Sequence, residues 1–333
     1  MSANTSQFAL LPGQEIPVGD IPAALANMWE TGPGEKTQPS EFRASQLNMI
    51  LHFGMDSVPD EAADIFETAI RFSRRYPSRL IVLCPEDHSR GDRLITAKLF
   101  AECHIGKNGR DRSCCEAVIL AYPQAGKGFL ENQVSILLDN DLPTYYRIHH
   151  FNRARKLADY GFFLKVARRV VYDSACEEPE IGKVDWPKPE AVRDLAHARL
   201  LPVRQSVGQF LSAFDPERLA GGLSAVRVRH APDLEAEARC LGRWLSARLA
   251  ACLPGDSTKP PAAKLSPAPG RGKEATGLEI RLEYPDQRHF RWRAPAGFRC
   301  AEIEADYGHG PVRLTGAAKL LPPENALAEA FFF

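Results

Sequence analysis

Phe42-Arg43-Ala44-Ser45-Gln46-Leu47-Asn48-Met49-Ile50-Leu51-His52-Phe53, followed by Ser57-Val58-Pro59-Asp60-Glu61 and then by Tyr76-Pro77-Ser78-Arg79-Leu80-Ile81-Val82-Leu83, decides the fold. The first segment holds an apolar run of one strand's length. Pro59 and Asp60 mark a helix start, with an aspartate able to accept an orphan backbone N–H. Ala62, Ile65, Phe66, Ala69 and Ile70 recur at helical spacing, so Asp60–Arg75 carries one apolar face. Arg74 and Arg75 suit the negative end of the helix dipole. Pro77 stops the helix and biases Tyr76 to extended geometry. Leu80–Leu83 has no polar residue, the pattern of a strand covered on both faces. Strand, helix, strand in this order is a βαβ unit and predicts parallel pairing of Gln46–Phe53 with Leu80–Leu83.

From this centre the chain reads as an α/β protein. An N-terminal sheet, mixed or mostly parallel and flanked by helices, is followed by a smaller α+β domain with an antiparallel meander. The expected division is an N-terminal arm and short helix over 1–40, an α/β domain over 41–176, and a second domain over 190–322. The boundary falls in the acidic, Pro-containing stretch Cys176–Pro189. Residues 254–277, rich in Pro, Lys, Ser and Gly, are expected to be a disordered loop. The meander is expected from Leu278–Tyr284, His289–Arg293, Arg299–Asp306 and Val312–Leu320, beside a long helix over Pro232–Cys252. The run Phe331-Phe332-Phe333 reads as a docking element for its own domain or for a partner.

The chain of 333 residues has 42 basic and 42 acidic side chains. A formal net charge of zero argues against nucleic acid or an anionic membrane as the main partner. No stretch approaches the length of an apolar membrane span, and Met1–Pro12 has neither a basic region nor an apolar segment, so the expected location is cytoplasmic. The eight cysteines then read as reduced thiols, mostly buried, with a redox role for vicinal Cys114-Cys115 as the alternative. No Cys-x-x-Cys pair is present, so paired zinc spacing is absent.

Three local clusters invite a chemical reading. Glu86–Asp92 sets acid, histidine and serine side by side, but triads converge from separate segments, so a solvated connection is expected. Gly126-Lys127-Gly128 precedes a helix and reads as a plain turn or an anion cradle; it lacks the glycine and the Ser or Thr of a Walker loop. Thr144–His149 reads as a strand, and two adjacent histidines cannot both serve one metal from one strand because neighbours point to opposite faces, so no shared metal ion is expected at His149-His150.

Arg43-Ala44-Ser45-x-x-Asn48, a helix, and then Tyr76-Pro77-Ser78-Arg79 before an apolar strand resemble the glucose-6-phosphate dehydrogenase assembly protein OpcA family. The resemblance continues in Asp194, Leu195, Arg199, Leu200, Pro202 and Arg204, then Phe214-Asp215-Pro216, with His197 and Val203 where many relatives carry an aromatic. It implies a non-catalytic, cofactor-free cytoplasmic protein. Such a protein binds glucose-6-phosphate dehydrogenase, promotes its active oligomer as an allosteric activator, and so feeds the oxidative pentose phosphate pathway. Arg43, Asn48, Arg79, Arg199 and Arg204 are the candidate motif or partner-contact residues. Asn48 also reads as a buried amide serving backbone groups, and Arg43 and Arg79 as braces for a carboxylate or a helix end. The other reading is a sugar-phosphate-binding protein or enzyme, in which Arg43, Arg79, Lys127 and Arg199 converge on a phosphate at the strand C-termini.

Overall fold

The computed structural model describes residues 6–28, 45–86, 95–105, 112–151, 154–177, 181–182, 184–253, 260–268 and 276–333. It divides into two units, Met1–Asp194 with Leu327–Phe333, and Leu195–Ala326. Arg43 and the loop 87–94 lie outside the described residues.

The first unit runs α1 (Gln7–Leu10), β1 (Gln14–Ile16), α2 (Ile21–Asn27), β2 (Leu47–Phe53), α3 (Pro59–Arg75), β3 (Ser78–Glu86), β4 (Thr96–Ile105), β5 (Arg112–Pro123), α4 (Lys127–Leu137), β6 (Thr144–His149), α5 (Ala154–Leu157), α6 (Gly161–Val166), β7 (Arg169–Tyr172) and β8 (Val192–Asp194). The strands form one sheet in the order β1-β4-β5-β3-β2-β6-β7-β8. From β5 to β8 every pairing is parallel. β4 and β1 add an antiparallel edge. The expected βαβ pairing is present, from Leu47 opposite Ser78 to His52 opposite Leu83.

Every residue of β2 is buried. Met49, Ile50, Leu51 and Phe53 are fully inaccessible, each contributing about 1.5–3 kcal/mol of transfer free energy. Ile50 shares a core with Leu130 and Val134 of α4 and Phe163 of α6. On α3 the predicted stripe is buried at Ala62, Phe66, Ala69 and Ile70. The helix starts one residue earlier than expected, with Pro59 in the first turn and Val58 as an extended N-cap lacking a side-chain hydrogen bond.

Three expectations need correction. The N-terminal arm, polar and irregular in sequence over Met1–Ile21 and so expected to be loose, is tied down from Ser6 onward. The Gln7 amide donates to Gly54 O and Ser57 O, and the buried Lys98 ammonium donates to the carbonyls of Phe8, Ala9 and Leu11. β1 then pairs with β4. A polar segment is held here by groups far away in the chain, which local composition does not reveal. The cysteines are not all free thiols either: Cys103 and Cys114 face each other across β4 and β5 and form a disulfide. Cys115, the vicinal neighbour, is buried, and burial pushes its thiol up to about 12, which leaves it unreactive. Finally, Ala263–Pro267 within the stretch expected to be disordered is a strand.

The second unit contains α7 (Leu195–Arg199), α8 (Leu201–Leu211), α9 (Pro216–Ala220), β9 (Ala225–His230), α10 (Glu235–Ala250), β10 (Ala263–Pro267), β11 (Thr276–Glu283), β12 (His289–Pro295), β13 (Cys300–Asp306), β14 (Val312–Ala317) and the start of α11 (Pro323–Phe332). Its sheet is ordered β10-β9-β11-β12-β13-β14. The meander β11–β14 is antiparallel throughout, as expected. β10 pairs parallel to β9. The buried stripe of α10 is Ala238, Leu241, Leu245 and Leu249, and Gly242 admits Ala263 of β10 so closely that a Cβ there would lie 2.9 Å from the alanine methyl.

The last residues belong to the first unit. Phe331 is buried, stacked on Tyr145 and edge-on to Phe72, while Phe332 meets Phe72, Tyr76 and Tyr145. Phe331→Ala should therefore cost about 3–5 kcal/mol in urea denaturation, whereas Phe333→Ala, at a side chain 79% exposed, should change it by less than about 0.5 kcal/mol. Gly54 is equally committed, because a Cβ on it would sit 1.8 Å from His150 O. Gly54→Ala should lower stability by about 3 kcal/mol or prevent folding; a wild-type urea midpoint for that variant would contradict the described backbone approach.

Candidate functional site

The parallel strands follow the spatial order β5-β3-β2-β6-β7-β8. Numbered along the chain, that is 3-2-1-4-5-6, with the direction of winding reversing between β2 and β6. Open sheets of this kind form their crevice at that reversal, outside the carboxyl ends of the two strands. Those ends are Phe53 and His149. Gly54 N donates to His149 O at 2.6 Å and Ser57 Oγ donates to the same carbonyl at 3.2 Å, which locks the two exits together.

The floor of the crevice is a chain of buried hydroxyls around His52. Its Nδ1 lies 2.7 Å from Tyr146 Oη and its Nε2 lies 2.6 Å from Tyr122 Oη, which is in turn 2.8 Å from Tyr160 Oη. The imidazole is walled by Phe151, Tyr160 and Phe163. Burial lowers its pKa to about 3, so it is neutral and has one donor and one acceptor nitrogen. Among the described residues Tyr146 Oη meets only His52, so a fully satisfied network has Tyr146 donating to Nδ1. Nε2–H then donates to Tyr122, and Tyr122 to Tyr160. The Tyr160 hydrogen is left to point outward.

Above this floor lies a small concavity whose lining includes Phe53, Asp56, Tyr122, Gln124, Lys127 and Tyr160. Lys127, first residue of α4, is held by Asp159 at 2.7 Å. The wall thus presents hydroxyl, amide, carboxylate and ammonium groups over aromatic rings, a surface suited to a small polar molecule. On the other side α3 opens with Asp60 and Glu61 in its first turn. Two acids at that helix end disfavour a phosphate there, and Phe53-Gly54-Met55-Asp56-Ser57 lacks the glycine spacing of a pyrophosphate loop.

At the rim stand Glu61, His149 and His150, whose ligand atoms all lie within 4.8 Å of one another. Glu61 Oε2 is 2.9 Å from His150 Nε2 and 3.6 Å from His149 Nε2. The expectation that adjacent histidines diverge does not hold. β6 ends at His149, and His150 takes a left-handed φ of 55°. That turn brings the two rings to a centroid separation of 4.3 Å. The strand rule fails because only one of the pair is on the strand.

The residues singled out in the sequence do not gather here. Asn48 is fully buried; its amide donates to Asp139 O, Leu142 O and Thr144 Oγ1, and its oxygen accepts from Asp139 N. It is the backbone-serving amide it reads as. Arg79 stands at the start of β3, paired with Glu116 and donating to Leu137 O at the end of α4, which is the bracing role. Arg199 belongs to the second unit and pairs with Glu237 at 2.6 Å. Arg204 lies in α8 of the same unit. The convergence of Arg43, Arg79, Lys127 and Arg199 on one phosphate is therefore not supported: Arg79, Lys127 and Arg199 each hold a different carboxylate, and Arg79 is at the amino end of its strand. Sequence reading missed His52, Tyr122, Tyr146, Tyr160 and Glu61. The one available signal was a histidine inside an otherwise apolar run, since a buried imidazole requires partners.

Residues 69–185 match a model of the OpcA glucose-6-phosphate dehydrogenase assembly family, described as the N-terminal domain of a glucose-6-phosphate dehydrogenase subunit. A relative from Synechocystis sp. (strain ATCC 27184 / PCC 6803 / Kazusa), named an OxPP cycle protein OpcA, is 29% identical over 185 residues, which are 52% of this chain and 37% of the relative. The chain thus spans little more than a third of that relative's length. The resemblance to the OpcA family read from the sequence is supported by both matches. Among solved structures, KijD10, a 3-ketoreductase from Actinomadura kijaniata, aligns with 85% of this chain and 88% of its own at a TM-score of 0.41 and 9% identity, too remote to carry an argument.

The buried histidines set a pH dependence. For His52 and His149 the folded pKa is about 3, below the ordinary 6.5. The unfolded chain therefore binds more protons between these values, and the stability they contribute is full above 6.5 and lost as pH falls toward 3. Glu177, raised by burial to about 7, acts oppositely, its contribution present below 4.5 and lost as pH rises through 7. His52→Gln should flatten the acid-side decline of the urea midpoint relative to wild type. An unchanged slope from pH 6.5 to 4 would mean that His52 is not a buried neutral imidazole.

Proposed function

We propose that this protein binds glucose-6-phosphate dehydrogenase and promotes its assembly into the active oligomer, acting as a non-catalytic allosteric activator. The observation that carries this reading is the family match over 69–185, which falls within the first unit. The name of the Synechocystis relative points to the same pathway. The crevice adds negative support: the helix end that would hold a dinucleotide's pyrophosphate carries two acids and no glycine loop.

An activator need not touch either substrate of the enzyme it serves. It must bind the active form more tightly than the inactive one, and the shift it produces equals that difference in affinity. A tenfold shift needs about 1.4 kcal/mol, within reach of a modest interface. Arg43, Arg79, Arg199 and Arg204 are proposed as partner contacts. Asn48 is withdrawn from that set, because a fully buried amide meets no partner. The internal pairing of Arg79 and Arg199 means that replacing either should reduce stability as well as any binding.

The test titrates purified protein into purified cognate dehydrogenase at limiting glucose 6-phosphate, recording NADPH formation and complex size. The expected outcome is a complex and a raised rate, with no turnover of sugar phosphate by this protein alone. An unchanged rate with no complex at micromolar concentrations would remove the proposal.

A further inference from the structure

We propose that Glu61, His149 and His150 bind one divalent first-row transition-metal ion at the rim of the crevice. The inference is independent of the dehydrogenase reading and rests on the hydrogen atoms of this cluster. Cys176 Sγ donates to Asp173 O at 3.4 Å and lies 3.5 Å from His149 Nδ1. A sulfur whose hydrogen is directed to that carbonyl receives Nδ1–H from the ring. His149 Nε2 is then a bare lone pair. It is buried and has no hydrogen-bond partner among the described residues. The Glu61 carboxylate lies 3.6 Å from it. A lone pair aimed at a carboxylate, with no proton between them, is completed by a cation.

The dimensions agree. Bonds of about 2.0–2.2 Å to imidazole nitrogen and carboxylate oxygen place neighbouring ligand atoms about 3–3.5 Å apart. The two separations from Glu61 are 2.9 and 3.6 Å. Glu61 is half-exposed and free to adjust, while His149 is fixed by burial and by Cys176 behind it, the outer contact that sets a ligating tautomer. Two imidazoles and one carboxylate favour zinc, cobalt or iron(II) over magnesium, which prefers oxygen ligands throughout. Arg147 works against a cation here and Asp173 works for it; both charges already act on His149. The left-handed turn at His150 gains a reason, since it is what aims both rings at one point. The ion would bolt the first turn of α3 to the exit of β6.

The test uses the full-length protein, stripped with a chelator and titrated with Co²⁺, following visible absorption and stoichiometry. One equivalent should bind, without the intense charge-transfer band of a thiolate ligand, and Zn²⁺ should displace it while Mg²⁺ should not. His150→Asn, which tolerates the left-handed backbone, and Glu61→Ala, on the surface, should each weaken binding by roughly tenfold or more with an unchanged circular dichroism spectrum. Zn²⁺ should raise the thermal midpoint of the wild type and of neither variant. Absence of Co²⁺ binding, a thiolate band, or wild-type affinity in both variants would each overturn the proposal.

Discussion

One strand with parallel neighbours on both sides and covered faces sets the terms for the first unit. Nothing on β2 reaches water, so its two polar side chains must find every partner inside the protein. Asn48 does so by closing the turn between α4 and β6, which fixes where β6 begins. His52 does so by gathering three tyrosines from β5, β6 and the segment before α6. Two requirements for satisfaction thus place the neighbouring strand and the floor of the crevice.

The crevice has the topology of a nucleotide-binding sheet without its chemistry. In sheets that hold a dinucleotide, glycines after the first strand let the backbone approach a pyrophosphate. Here the glycine after that strand, Gly54, is used up by the carbonyl of His150, a contact within the protein. The acids that follow on α3 place negative charge where a phosphate would need the opposite. The same acids suit a cation or the histidine pair beside them. A shared strand order therefore says little about activity, and the residues at the reversal of winding say more.

Much of the fold was legible because its signals are local and periodic. The apolar runs of β2 and β3, the stripe of α3 and the short spacing of the segments β11 to β14 are all local properties of the chain. The errors arose where distant groups decide. Three carbonyls of the N-terminal segment capture Lys98, and no property of residues 6–20 announces it. The Cys103–Cys114 bridge depends on the register between β4 and β5. Ala263–Pro267 becomes a strand because an unpaired edge of β9 receives it. The site was the least legible part. The rule that neighbours on a strand diverge does not apply to His149-His150, because the strand stops between the two residues. Arg79 and Asn48 were legible as structural groups, because a strand-start arginine and a buried amide each require partners within the protein.

The aromatic closure of the first unit has a consequence for the order in which the protein is made. Phe331 and Phe332 fill a pocket between Phe72 and Tyr145, yet more than 130 residues of a separate unit, Leu195–Ala326, are synthesised before them. On the ribosome the first sheet must wait, with that aromatic surface uncovered, until the second unit has emerged. Arrival of Phe331 and Phe332, rather than completion of the sheet, is then the event that finishes the first core, and until it happens the face of Phe72 and Tyr145 stays open.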